Sequence, residues 1–105
     1  MIKTTKQKAL ARAGWRTGSA DEFIGLKPEE TALVNMRLSL AEKLRGRRTK
    51  LGLSQTELAL RLGSSQSRVA KMEAGEVDVS LDLLVRAMLN TGASAREVAQ
   101  AIAAA

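Results

Sequence analysis

The chain has 105 residues, a formal net charge of +6 and a pI near 10.3; 45% of it is hydrophobic and only 2% aromatic. That length serves one domain with a modest core and is too short for two. Cysteine and histidine are both absent, which excludes a disulfide framework, thiolate chemistry and the usual structural zinc site.

A core built from Leu, Val, Ile, Met and Ala suits small helices better than sheets, which favour β-branched and aromatic residues. The basic balance attracts polyanions, nucleic acid before anionic membrane. No apolar run approaches the length of a bilayer span, and the first residues lack the apolar core of a signal peptide. A cytoplasmic location without a membrane partner is therefore expected.

Residues 1–27 are expected to form a basic N-terminal arm, partly disordered. From Met1 to Ser19 the charges are Lys3, Lys6, Lys8, Arg12 and Arg16, with no acid among them. The composition turns apolar at Asp21–Leu26, which is expected to dock as a short turn or strand. Trp15 and Phe23, the only aromatic residues, are candidate partner-binding positions. Local packing is the other reading of Trp15.

Residues 28–105 predict an all-α domain of five short helices. Pro28 suits a first helical position and Glu29 and Glu30 complement the positive end of the helix dipole. Leu33, Met36, Leu40 and Leu44 follow at helical spacing, widened by Val34, Leu38 and Ala41, and the helix stops at Leu51-Gly52. Ser54 with Glu57 is a capping box; Leu58, Ala59 and Leu62 face inward, and Gly63 ends that helix. The next helix, capped by Ser64 or Ser65, buries Val69 and Met72 and stops near Ala74-Gly75. Ser80 caps a fourth helix with Leu81, Leu84, Val85, Met88 and Leu89 as its stripe. Ser94 and Glu97 start a fifth, in which Val98 and Ile102 cover the core or serve an interface.

Two short amphipathic helices joined at a glycine, over residues 54–75, suit a unit in which one helix braces another in the DNA major groove. Base-facing positions favour forked donor–acceptor side chains. Gln66 can pair with an adenine edge, Ser67 with several bases, and Lys71, one turn on, with guanine acceptors. Ser65 joins this exposed polar group, and Arg68 beside it reaches either a base or a phosphate. Gln55 at a helix start is a candidate phosphate clamp. The segment from Arg45 to Lys50 is either a solvated face or a phosphate stripe, with Arg47 and Arg48 as its candidates.

The segment from Met36 to Gly92 resembles the XRE (Cro-type) helix-turn-helix family. The matching residues are Leu53-Ser54-Gln55, Glu57-Leu58-Ala59, Leu62-Gly63, Ser65-Gln66, Val69, Met72-Glu73 and Gly75. The resemblance implies a lambda-repressor-like fold, a phosphate contact at Gln55 and groove-facing Ser65, Gln66, Ser67 and Lys71. It makes Glu73 structural. The flanks Gly14-Trp15-Arg16 and Asp21–Leu26, with the long first helix, are similar to HigA-type antitoxins, which implies self-repression and a RelE-like toxin as partner.

Catalysis is not expected: Gly63-Ser-Ser-Gln-Ser67 lacks the second glycine of a nucleophile elbow, and no histidine is present to activate a serine. No cofactor or metal is expected. The reading is a sequence-specific transcriptional repressor, binding double-stranded DNA at a palindromic operator as a homodimer and serving as an antitoxin. The alternative is a protein-binding module that neutralises a partner with only minor DNA contact.

Overall fold

A computed structural model describes residues 27–105. The expected arm, with Trp15, Phe23 and the docking of Asp21–Leu26, lies outside the described residues. Within them are five helices and no strand: α1 (Pro28–Lys50), α2 (Gln55–Leu62), α3 (Gln66–Ala74), α4 (Leu81–Asn90) and α5 (Ala95–Ala103). None is long and apolar enough to cross a membrane.

Helix α1 is the axis on which α3, α4 and α5 pack. Pro28 stands in its first turn with Glu29 and Glu30. Leu40, Ala41 and Leu44 are buried against Leu58, Val69, Met72, Leu84, Met88 and Val98. The apolar stripe runs further than the bundle that covers it: Leu33 is 43% exposed, and Val34 and Met36 are half-buried. Sequence periodicity fixes which face of a helix is apolar and not how much of its length is covered. Two hydrogen bonds fasten α1 to distant segments, Ser39 Oγ donating to the Ala101 carbonyl at 2.5 Å and Arg37 Nε to the Val79 carbonyl at 2.8 Å.

The helix starts are local chemistry. The Ser54 hydroxyl accepts from the Glu57 N–H at 3.0 Å while the Glu57 carboxylate accepts from the Ser54 N–H at 2.8 Å. Ser94 and Glu97 repeat this box, at 3.1 and 3.0 Å. Ser65 rather than Ser64 caps α3, its hydroxyl accepting the Arg68 N–H at 3.2 Å. Gly63 ends α2 at φ +64° and Gly75 ends α3 at φ +67°, a left-handed conformation that strains side-chain-bearing residues. At Gly75 space adds to the requirement, since a Cβ there would lie 2.5 Å from Leu38 Cδ2. On α4, Leu84, Ala87 and Met88 are buried, whereas Leu89 stands at the edge of the stripe, 47% exposed.

Both capping-box glutamates titrate below the ordinary carboxylate range. The first cause is the backbone N–H each accepts, from Ser54 and from Ser94; beside Glu97 the Arg47 charge adds to it. A depressed folded-state pKa gives stability that is present above the unfolded value, about 4.3 for glutamate, and is lost as pH falls through the depressed one. Thermal melts followed by circular dichroism should therefore show the melting temperature falling as pH drops below about 4.3. In Glu57→Gln/Glu97→Gln, where glutamine preserves the boxes, that fall should be shallower. An equal acid slope would contradict the assignment.

Candidate nucleic-acid interface

Helix α3 advances about 100° per residue, so Val69, Met72 and Glu73 share its inner face while Ser67 and Lys71 share its outer one. Val69 and Met72 are fully buried, and Gln66, Ser67, Arg68 and Lys71 are exposed. Gln66 and Arg68 flank the outer face on opposite sides. The inner face thus fixes the helix to the core through apolar contact and one carboxylate.

That carboxylate explains the rest of the geometry. The Glu73 side chain is 4% exposed and pairs with Arg48, whose side chain is 13% exposed. Arg48 donates from Nε to Oε2 at 2.5 Å and from Nη2 to Oε1 at 3.0 Å, a forked arrangement that a planar guanidinium is shaped for. Its third group, Nη1, donates to the Leu53 carbonyl at 2.8 Å. The hydrogen bond to Glu73 raises the Arg48 pKa, against the opposing effect of burial.

From Glu73 the hydrogen bonds run outward. Gln55 Nε2 donates to Glu73 Oε1 at 3.1 Å, and Gln66 Nε2 donates to Gln55 Oε1 at 2.6 Å. An ionised carboxylate can only accept, so Gln55 must turn its NH2 toward Glu73 and its carbonyl toward Gln66. Gln66 in turn commits one N–H inward. It keeps a carbonyl oxygen and a second N–H, an acceptor and a donor in one plane, on the exposed side. This pair matches adenine, which offers the N6 amino donor and the N7 acceptor in the major groove.

Several of the expected site residues have internal partners. Arg47 and Arg48, candidates for phosphate contact, are committed internally. Arg47 donates from Nε to Thr91 Oγ1 at 2.8 Å, from Nη2 to the Thr91 carbonyl at 3.0 Å and from Nη1 to Glu97 at 3.0 Å. It clamps the end of α4 to the start of α5, as Arg48 clamps α3 to α1. Gln55, expected as a phosphate clamp through its amide and the free N–H groups of the helix start, hydrogen-bonds through that amide to Glu73 and Gln66. Ser65 is a helix cap whose hydroxyl also lies 3.2 Å from that of Ser67. Arg68 makes no side-chain hydrogen bond or ion pair among the described residues, and Lys71 meets only Asp78, at 3.7 Å. Sequence reasoning gave Asp78 no role. The signal for the Arg48 pair was the acid at the end of the buried Val69–Met72 stripe, since a buried carboxylate requires a cation.

An exposed helix of hydrogen-bonding and cationic side chains, braced from behind by a short helix across a glycine turn, defines the class of DNA-binding helix-turn-helix proteins. The helix-turn-helix family model matches residues 44–98, slightly more than half of the chain. The chain belongs to that family, the XRE-type helix-turn-helix proteins, which supports a DNA-binding regulator. No curated protein and no solved structure matches it.

Proposed function

We propose that the protein is a sequence-specific repressor that reads a palindromic operator as a homodimer. The observation that carries this reading is the oriented Gln66 amide, held outward by Gln55 and Glu73. A purely phosphate-binding surface has no use for a fixed donor–acceptor polarity. In this reading Gln66 pairs with adenine, Ser67 and Lys71 reach neighbouring bases, and Arg68 meets a base or a phosphate at the flank. The Gln55 and Thr56 backbone N–H groups at the start of α2 hold a phosphate. Such a helix makes few base contacts, and two-fold pairing of half-sites is the general remedy. Leu60 and Leu89, 76% and 47% exposed, flank the Arg61 and Asn90 contacts that join the ends of α2 and α4. They supply apolar surface for pairing.

Binding selection from a randomised duplex pool is the test. The expected product is an inverted repeat with half-sites about 10 base pairs apart, bound by two chains. An unstructured pool after repeated selection would refute sequence reading. The similarity of the flanks to HigA-type antitoxins extends the proposal to neutralisation of a small basic ribonuclease encoded alongside. Co-expression should then recover the two proteins together.

A further inference from the structure

Lys71 lies on the outer face of α3, one turn beyond Ser67, and its ammonium stands 3.7 Å from Asp78 Oδ2 in the loop between α3 and α4. The two side chains are 51% and 61% exposed. The backbone beneath Asp78 is firmly placed: the next residue, Val79, is 4% exposed, and its carbonyl accepts from Arg37 at 2.8 Å. On the other side the Glu76 N–H donates to the Lys71 carbonyl at 3.2 Å. Asp78 is therefore held beside the face that meets DNA.

We propose that Asp78 is a specificity-determining residue that suppresses indiscriminate phosphate binding by Lys71; the inference rests on the DNA-reading role of α3. An ammonium is a hydrated point charge that meets any phosphate, and phosphate contacts carry no sequence information. Asp78 acts against them twice, by occupying the ammonium and by repelling a phosphate brought up to it. A guanine edge, with its O6 and N7 acceptors in the groove, can draw Lys71 away without placing a phosphate against Asp78. Discrimination then comes from a repulsive element aimed at the wrong site.

The test compares wild type, Asp78→Asn, Lys71→Met and the double variant on two probes, a short mixed-sequence duplex and the duplex recovered by selection. Asp78→Asn should bind the mixed-sequence duplex about 3–10-fold more tightly near 0.1 M salt, with a salt slope steeper by about 0.9 and an unchanged melting temperature. The selected duplex should gain less, so the specificity ratio falls. The gain should vanish in the Lys71→Met background. Glu76→Gln, which removes an equal charge that makes no ion pair among the described residues, should not reproduce it. An unchanged Asp78→Asn, while Gln66→Ala loses the selected duplex, overturns the role of Asp78 and leaves DNA reading intact. A gain that survives Lys71→Met, or an equal gain in Glu76→Gln, overturns it as well. Failure of the wild type to prefer any sequence overturns both.

Discussion

Glu73→Ala is expected to lower the unfolding free energy by about 3 kcal/mol, the low end of the range for a buried ion pair broken on one side. The Arg48 side chain, 13% exposed, would lose the partner of two of its three hydrogen-bonding groups and remain largely out of water. The value falls toward the low end because that remaining exposure lets water reach the guanidinium. Against a total stability of about 5–15 kcal/mol for a small domain, the loss should be plain in urea denaturation. Arg48→Met/Glu73→Leu replaces the pair with apolar side chains of similar reach and should recover most of the stability, because such exchanges are often neutral or better. The same double variant should still lose sequence discrimination, since Gln55 no longer has an acceptor to orient it. A stable double variant with intact discrimination would show that the pair supports the fold alone.

The second large effect concerns recognition. Gln66→Ala should cost about 1–3 kcal/mol at each half-site, the usual worth of a bidentate base contact, and a dimer takes that loss twice. The expected signature is a relaxed preference at one base pair per half-site with little change in binding to mixed-sequence DNA. Gln66 is exposed and its side-chain hydrogen bond among the described residues is to Gln55, so the melting temperature should hardly move. A uniform weakening across all sequences would instead make Gln66 a phosphate contact. Gln55→Ala should follow Gln66→Ala in reduced form, because it frees the Gln66 amide to rotate without removing it.

What the sequence made legible follows from the range of each interaction. Ser54 with Glu57, Ser94 with Glu97, Ser80 and Pro28 act over three residues or fewer, so the helix starts could be placed from spacing alone. Val69 and Met72 as the inner face of α3 followed from periodicity. The internal partners of Arg47 and Arg48 were not legible because they are far away in the chain: Thr91 is 44 residues from Arg47 and Glu73 is 25 residues from Arg48. In sequence they stand in a run where Arg37, Lys43, Arg45, Arg47, Arg48 and Lys50 outnumber one acid, Glu42, which resembles a solvated or phosphate-facing surface. Only packing shows that three of the six, Arg37, Arg47 and Arg48, turn inward. Gln55 was placed at the right helix start, but the hydrogen bonds of its amide to Glu73 and Gln66 were not legible, since the direction of an amide depends on what lies behind it. Leu33 and Leu89 belong to apolar stripes by spacing yet stand at the margins of the core, where neighbouring helices end.

Glu73, an acceptor-only carboxylate, sets the polarity of two amides, and in the proposed reading Gln66 thereby meets adenine with a donor and an acceptor together. The most direct test of that reading replaces single adenines of the selected duplex with 7-deazaadenine, which removes the N7 acceptor and leaves the N6 amino group. One adenine per half-site should prove sensitive, costing the wild type about tenfold in affinity, within the range for one groove contact. The same replacement should cost Gln66→Ala nothing. Equal losses in the two proteins, or no sensitive adenine anywhere in the duplex, would contradict the account.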